Sequence, residues 1–303
     1  MSARQQGGTA LKAVLFLMLA ILCFDAMSVL VRLLLPRYSV QELSAYRNVV
    51  GVLPSLALMI YTRELRLRGT VLRITRWRLA LLRGGIVAMA QFLFYSGIGY
   101  LELATVSALG QTNALFVVLL SVLLLGERVG PWRIFALFLG FAGAIWIIQP
   151  GSDAFSLYAL YPVGAALCYA VSMVTVRMFG PEVSNGLLYL YSSVAAAAGA
   201  FLFAALTTQF TPMASWADMG LILTMSLVGG TGVLFIMLAY RMGPPSLLAP
   251  FGYFGILTAF GVGWLFFGEA PIDTLFPGVF LIVGAGAVIM WRENRRAGAK
   301  VGK

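Results

Sequence analysis

The sequence predicts an all-α integral membrane protein in which ten transmembrane helices form two inverted five-helix repeats. Three observations predict this fold. Apolar residues make up 61% of the 303 residues and charged residues only 11%, with a mean hydropathy of +0.93, whereas a soluble domain carries about 25% charged residues. Apolar stretches long enough to cross a bilayer recur along the whole chain. Two pairs of segments match between the halves of the sequence.

Each predicted span is an apolar stretch of about 20 residues. The ten stretches are 11–33, 42–62, 79–100, 103–125, 132–149, 157–177, 185–206, 219–239, 246–267 and 274–291. The breaks between them carry turn residues or charge, as at Pro36-Arg37, in the arginine-rich stretch 63–78 and at Pro150-Gly151. The first stretch is longer than the core of a signal peptide and lacks a small-residue cleavage site, so we expect it to be retained.

The basic residues define the orientation of these spans. Ten spans place both termini on one side, and a cytoplasmic location for the termini puts 18 of the 21 Lys and Arg residues there, leaving Arg32, Arg37 and Arg47 outside. The positive-inside rule favours this orientation. We therefore expect a multi-pass protein of the bacterial inner membrane with both termini in the cytoplasm. The predicted interfacial anchors are the aromatic residues near span ends, Trp132, Trp146, Tyr158, Trp216 and Trp291.

Two segment pairs indicate an internal repeat. Leu22–Arg32 matches Leu167–Arg177 at an offset of 145, with Phe24 opposite Tyr169. Later in each half, the Gly-Glu dipeptide at 126–127 aligns with the one at 268–269, at an offset of 142. The alternative is chance similarity between apolar helices.

The repeat divides the chain into residues 1–152 and 153–303. Because five spans is an odd number, the second repeat would enter the membrane upside down relative to the first, an arrangement found in secondary transporters. Two related halves inserted in opposite senses can open a central cavity alternately to each face of the membrane.

The stretch VSALGQTNALFVVLLSVLLLGERVGPWRIFALFLGFAGAIWIIQPG, Val106 to Gly151, resembles the drug/metabolite transporter superfamily, in particular its EamA-type ten-span permeases. Asp25–Arg32 and Ala45–Pro54 are similar to the subgroup of S-adenosylmethionine and related metabolite permeases. This resemblance implies a membrane transporter for a small organic compound. Family members often carry a proline thirteen residues before the turn glutamate, where this chain has Ala114 and Ile256. Without these prolines the sequence does not predict a helix break there.

Charged residues inside predicted spans are the first candidates for the site, because each costs about 2.5–3.5 kcal/mol on insertion scales. Asp25 lies well inside the first span, with Ser28 and Arg32 on the same helical face, and Arg47 lies at a similar depth in the second span. In one interpretation Asp25 holds an ammonium or sulfonium group or a proton, and Arg47 holds a carboxylate. In the other, Asp25 forms an ion pair with Arg47 or Arg32 that acts as a lock or gate.

Polar and aromatic residues near the predicted midplane are further candidates for substrate binding. They are Gln91, Tyr95, Gln111 and Asn113 in the first half and Tyr169, Ser172, Tyr191 and Tyr253 in the second. The alternative for each is an ordinary interhelical contact, polar or aromatic. Glu127 and Glu269 lie in short turns between spans, where we expect them to cap helix starts or tether loops.

The sequence argues against other classes of function. It contains no His, its two cysteines (Cys23 and Cys168) lie in apolar segments, and it lacks HExxH, GxSxG and Walker motifs, so we expect no metal, no cofactor and no enzyme activity. The expected partners are a small-molecule substrate and the lipid bilayer, without nucleic acid, and the expected state is a monomer or homodimer. The predicted function is gradient-driven or exchange transport of an amphipathic or zwitterionic metabolite, amino-acid-like or nucleoside-like, such as S-adenosylmethionine. The alternatives are a broad-specificity metabolite or drug exporter, and a channel.

Overall fold

The computed structural model describes residues 3–61, 76–126, 131–149, 156–176, 178–179, 183, 185–242, 248 and 251–301. Throughout these residues the regular structure is helical and no strand occurs. The all-α prediction is therefore confirmed for the described part of the chain. Arg63 to Arg73 and Glu127 lie outside it.

The helices follow one another with short connections. The first half contains α1 (Ala3–Leu34), α2 (Val40–Tyr61), α3 (Trp77–Tyr100), α4 (Leu103–Gly110), α5 (Asn113–Leu125) and α6 (Pro131–Ile148). A 3₁₀ turn at Leu157–Ala159 then precedes α7 (Leu160–Val176), α8 (Asn185–Thr207), α9 (Trp216–Met242), α10 (Phe254–Phe267), α11 (Ile272–Leu275) and α12 (Gly278–Val301). Each of the ten predicted stretches contains helix.

Six helical segments of the described chain are long and apolar enough to cross a membrane. They are Leu11–Leu34, Trp77–Tyr100, Leu103–Leu124, Leu157–Val176, Leu187–Thr207 and Trp216–Ile236, and shorter apolar helices occur at Ile134–Ile148, Phe254–Phe267 and Gly278–Val288. Large apolar side chains cover the outer surface, among them Leu206, which is 76% exposed, and Leu265, which is 72% exposed. A surface of this kind is suited to lipid rather than water.

The aromatic residues predicted as interfacial anchors have exposed side chains. Trp216 begins α9 and is 86% exposed. Trp132, near the start of α6, packs edge to face against Trp291 of α12, with 5.7 Å between the ring centroids. Their amphipathic rings are suited to the headgroup level of a bilayer.

Helix packing follows a regular scheme between the halves. Helix α1 packs on α9 and α10, α2 on α8 and α9, and α3 on α7 and α8. In addition, α5 packs on α7, α4 on α10, and α6 on α12. The largest buried cluster lies where α1, α2, α3 and α9 meet, and includes Val31, Leu43, Tyr95 and Met225.

The predicted span 103–125 is interrupted. Helix α4 ends at Gly110 and α5 begins at Asn113, with Gln111 and Thr112 in the turn between them. The Thr112 hydroxyl donates a hydrogen bond of 2.6 Å to the Leu109 carbonyl, which satisfies one of the carbonyl groups at the break. A helix break therefore forms here without the family proline.

Helices α5 and α10 end in the same way. Gly126 follows α5 with φ 65° and ψ 22°, and Gly268 follows α10 with φ 69° and ψ 19°. Only glycine adopts this left-handed conformation without a steric penalty. The glycine of each Gly-Glu dipeptide is thus explained by helix termination.

Candidate functional site

Arg47 is a buried cation in α2. Arg47 is only 9% exposed, and its Nε has no hydrogen-bond partner. The guanidinium group lies close enough to the Tyr95 phenol of α3 to interact with it electrostatically. Among the described residues the salt bridges are Arg32–Glu269 and Arg37–Asp218, so no carboxylate in this part of the chain pairs with Arg47. Its charge is available to an anionic group of a ligand.

Three tyrosines interact electrostatically with this guanidinium. They are Tyr95 of α3, Tyr169 of α7 and Tyr189 of α8. Tyr95 is fully buried, and its hydroxyl also lies 3.4 Å from the Met27 sulfur. The site therefore combines one cation with phenol rings from both halves of the chain.

Asp25 carries the opposite charge and faces a different helix. Its Oδ2 is buried without a hydrogen-bond partner, and its carboxyl group lies near Thr258 of α10, whose hydroxyl donates to the Phe254 and Gly255 carbonyls at 3.3 Å. Ser28, predicted on the same helical face, instead donates to the Phe24 carbonyl at 2.8 Å. Neither predicted ion pair, with Arg32 or with Arg47, is among the salt bridges of the described residues.

Arg32 and Glu269 form a salt bridge at the end of the helix bundle. Arg32 of α1 pairs with Glu269, which follows α10, and donates to the Leu101 carbonyl at 3.3 Å. Glu269 also accepts a hydrogen bond of 3.0 Å from the Leu103 backbone N–H, where α4 begins. Burial raises the pKa of the Glu269 carboxyl even though these two contacts lower it. The prediction that Glu269 caps a helix start or tethers a loop is confirmed by its contact with the start of α4.

Polar residues at the α4–α5 break contact the backbone of the second half. The Gln111 Nε2 donates to the Gly252 carbonyl at 3.1 Å, and the Ser107 hydroxyl donates to the Gly255 carbonyl at 3.1 Å. The Asn113 Nδ2 donates to the Ala166 carbonyl of α7 at 2.9 Å. Gln111 and Asn113 thus make interhelical polar contacts, which the sequence offered as the alternative to substrate binding.

Gln91 lies in a buried amide pair. Its Oε1 accepts a hydrogen bond of 2.5 Å from the Asn48 Nδ2, and Asn48 also donates to the Ser44 carbonyl at 2.8 Å. Asn48 follows Arg47 directly, so this pair fixes the part of α2 that carries the cation against α3.

The other predicted tyrosines lie in helix contacts. Tyr191 packs against Ala80 and Leu188, between α3 and α8. Tyr253 packs against a cluster around α4, α6 and α12, and its hydroxyl occupies the space above Gly286. Of the four second-half candidates, Tyr169 lies beside Arg47, and Ser172 is buried with its carbonyl bound by an arginine of α3.

That arginine, Arg83, was not among the predicted site residues. Its Nε donates to the Ser172 carbonyl at 2.9 Å, and its Nη1 donates to the Ser192 hydroxyl at 2.6 Å. The sequence assigned Arg83 to the cytoplasmic charges because it lies near the end of a predicted span. Tyr189 was also missed, although it lies three residues before Ser192, which aligns with Arg47 at the repeat offset of 145.

Comparisons with known proteins agree with this architecture. Residues 11–149 match the EamA-like transporter family. The chain is 33% identical over 225 residues to a riboflavin transporter of Rhizobium johnstonii, covering 73% of this chain and 72% of that protein. It is 28% identical over 273 residues to the pseudopaline exporter CntI of Pseudomonas aeruginosa, covering 90% and 93% of the two chains.

More distant proteins share the fold. An S-adenosylmethionine uptake transporter of Rickettsia felis is 22% identical over 229 residues, covering 76% of this chain and 77% of that protein. One solved crystal structure superposes with a TM-score of 0.63 at 21% identity, covering 93% of this chain and 98% of the other.

Family and relatives are transporters rather than enzymes, as the sequence predicted, and the resemblance to the drug/metabolite transporter superfamily is confirmed. The relatives are bacterial, and the described helices are those of a multi-pass membrane protein. This chain belongs to the EamA-like transporter family.

Proposed function

We propose that this chain is a secondary transporter that moves a small zwitterionic metabolite with a planar ring across the bacterial inner membrane. The observation that carries the proposal is Arg47, a cation nine-tenths buried among three phenols and without a carboxylate partner in the described residues. An uncompensated charge inside a membrane span is expensive unless it has a functional partner.

Asp25 supplies the complementary charge. Its carboxyl group lies against α10 and retains a buried oxygen without a hydrogen-bond partner, while Arg47 lies against α3. Two opposite charges held by different helices are arranged to bind the two ends of one ligand rather than each other. Asp25 then receives an ammonium or sulfonium group, and the planar fork of Arg47 receives a carboxylate.

The aromatic surroundings favour a ring between these charged groups. Tyr95, Tyr169 and Tyr189 come from three helices around Arg47. Phenol rings bind planar groups by offset stacking and edge contacts. An amino-acid-like or nucleoside-like compound, of which S-adenosylmethionine is one example, has this combination of a ring and two opposite charges.

The relatives support transport but leave the substrate open. Their names specify riboflavin, pseudopaline and S-adenosylmethionine, and they include both an exporter and an uptake transporter. One scaffold therefore serves different compounds and directions, so our substrate class rests on the charged and aromatic residues of this chain.

We further propose that the transport cycle uses two inverted repeats, with each predicted span n of the first half equivalent to span n + 5. Helix packing supports this. Under this equivalence the α1–α9 contact corresponds to α7–α3, the α2–α9 contact to α8–α3, and the α1–α10 contact to α7–α5. All six of these helix contacts are present. Such a scheme allows the halves to rock and expose the site to each face in turn.

Energy would come from exchange or a proton gradient, because the sequence has no ATP-binding motif. Asp25 is the carboxylate placed to exchange a proton or an organic cation. A broad-specificity exporter of cationic compounds is the alternative, since it would use Asp25 without needing Arg47.

Counterflow into proteoliposomes loaded with S-adenosylmethionine tests the proposal. Loss of the charge-assisted contact in Arg47→Gln should reduce saturable, trans-stimulated flux at least about tenfold, and Asp25→Asn should abolish or uncouple it. Arg78→Gln is the matched control, because it removes the same charge from an exposed side chain in the first turn of α3.

Three outcomes would contradict specific parts of the proposal. Equal flux in the Arg47 and Arg78 variants would remove Arg47 from the substrate site. Dependence on Asp25 alone would favour the cationic-compound exporter. Flux that neither saturates nor responds to substrate on the opposite side would indicate a channel.

A further inference from the structure

The sulfur atom of Met27 on α1 lies beside the buried guanidinium of Arg47. Met27 is 5% exposed, and its Sδ accepts a hydrogen bond of 3.4 Å from the Tyr95 hydroxyl of α3. Gly229 of α9 borders both side chains, because a Cβ atom at this position would clash with the Met27 Sδ and would lie 3.5 Å from the Arg47 Nε. The sulfur and the Nε therefore border the same point of α9.

The hydrogen-bond donors around this point are poorly matched by the protein. The Arg47 Nε has no hydrogen-bond partner, and a buried charged donor without an acceptor is destabilising. The Tyr95 hydroxyl donates to a thioether, whose sulfur is a weak acceptor. A carboxylate oxygen accepts several hydrogen bonds and binds charged donors strongly. A carboxylate in place of the sulfur would therefore satisfy both donors better than Met27 does.

Methionine is suited to leaving such a position. Its side chain is unbranched, has three rotatable bonds and repacks readily. Gly229 provides the space that the sulfur occupies, since a Cβ atom would fill it. The protein thus holds an adaptable side chain, rather than a rigid one, next to its buried cation.

We propose that Met27 is a specificity-determining residue of the substrate site, and that the substrate carboxylate takes the position of the Met27 sulfur beside Arg47 and Tyr95. The carboxylate accepts hydrogen bonds from the Arg47 Nε and the Tyr95 hydroxyl, while the Met27 side chain rotates away. Because every bound carboxylate displaces the thioether, Met27 lowers the affinity for acids that cannot accept from both donors. This inference rests on the proposed function and identifies the residues that contact the acidic end of its substrate.

The competing role for Met27 is packing, because it belongs to the largest buried cluster, which also contains Met225. Packing alone affects the stability of the protein without distinguishing a ligand that has a carboxylate from one that lacks it. The experiment therefore compares two ligands that differ in this group.

The probes are S-adenosylmethionine and decarboxylated S-adenosylmethionine, which share the ring, the sulfonium group and the amine. Apparent dissociation constants come from the rise in melting temperature of the detergent-solubilised protein with ligand concentration. The ratio of the two constants is the carboxylate preference. Met27→Val removes the sulfur with a small loss of volume and should raise this preference about two- to tenfold, the value of one net hydrogen bond. Met27→Ala should change the preference in the same direction.

Gly229→Ala should have the opposite effect, because its methyl group occupies the position that we assign to the carboxylate. We expect the carboxylate preference to fall about two- to tenfold. Gly220→Ala is the control on the same helix, since a Cβ atom there would meet no atom within 4 Å. Met225→Val is the control for packing, since Met225 is 0% exposed in the same cluster as Met27. Neither control should change the preference.

Two results would overturn the inference and leave the role of Arg47 intact. One is a carboxylate preference that is the same in the wild-type protein and in both Met27 variants, which would assign Met27 the packing role. The other is an equal rise in Met225→Val, which would make loosened packing the cause. A carboxylate preference absent from the wild-type protein and from both Met27 variants, including no response to either probe, would instead contradict Arg47 as the carboxylate-binding residue and the proposed function with it.

Discussion

Gly84 lies where α3 passes closest to α8, and its neighbour Gly85 provides an internal comparison. A Cβ atom at Gly84 would clash with the Ala195 Cβ and the Ser192 carbonyl oxygen and would lie 3.0 Å from the Ala196 backbone nitrogen. Two of these atoms are backbone, so the clash cannot be relieved by a side-chain rotation. A Cβ at Gly85 would meet no atom within 4 Å.

The two alanine substitutions therefore separate packing from helix propensity. Both replace glycine inside a helix, which by itself stabilises the helix by about 0.5–1 kcal/mol. Gly84→Ala additionally overpacks the α3–α8 contact, and overpacking costs about 1–3 kcal/mol. Because the propensity gain cancels between neighbours, Gly84→Ala should be less stable than Gly85→Ala by about 1–3 kcal/mol.

Equilibrium unfolding in mixed detergent micelles measures this difference, with helix content followed by circular dichroism. The comparison also tests the arrangement around Arg83, because Ser192 accepts a hydrogen bond from that arginine and its carbonyl borders Gly84. Equal stability of the two variants would show that α3 and α8 are not in close contact at this point, and would refute the reasoning for the site as well.

Three further predictions concern polar contacts. Arg37→Ala should destabilise the protein by about 1–3 kcal/mol, more than Asp218→Asn in the same unfolding measurement, because it leaves a carboxylate with 1% exposure without its cation whereas Arg37 is 60% exposed. Burial raises the pKa of the Glu269 carboxyl, so the folded state binds that proton more tightly than the unfolded state. The contribution of this proton to the free energy of unfolding is complete below the unfolded pKa and is lost as pH rises through the raised pKa. Unfolding measured against pH should show this decline in the wild-type protein and lack it in Glu269→Gln. A double-mutant cycle on Asn48 and Gln91 should give a coupling of about 0.6 kcal/mol, and no coupling would contradict their 2.5 Å contact.

Features with strong local determinants were predictable from the sequence. The hydropathy pattern gives helix within every predicted stretch, and the Gly-Glu dipeptides mark the ends of α5 and α10 through left-handed glycines. The tethering role of Glu269 followed from its position in a short turn. The break after Gly110 was not predictable, since the expected proline is absent and the break is instead supported by the hydrogen bond of the Thr112 hydroxyl.

The membership of the site was harder to predict because it depends on helix rotation. Tyr189 and Tyr191 are two residues apart on α8, about 200° around a helix. Tyr189 interacts electrostatically with both arginines, and Tyr191 packs against the cluster of Ala80, Leu187 and Leu188. Arg83 resembled a topology signal because it lies near a span end, and its long side chain conceals how far inward its guanidinium reaches. Asp25 was correctly identified as a charge inside the span, but its position near Thr258 of α10 could not be inferred from the sequence of α1.

The charge asymmetry of the two halves has a physical basis in this packing. At the repeat offset of 145, Arg47 aligns with Ser192, and the Ser192 hydroxyl accepts the hydrogen bond from Arg83. A second arginine at 192 would put two guanidinium groups in direct opposition, where like charges at a low effective dielectric repel by several kcal/mol. A neutral acceptor at 192 removes this repulsion and lets Arg83 of α3 reach across to α8. Arg47 and Arg83 therefore both come from the first half, while the second half contributes the hydroxyl and carbonyl groups that orient Arg83.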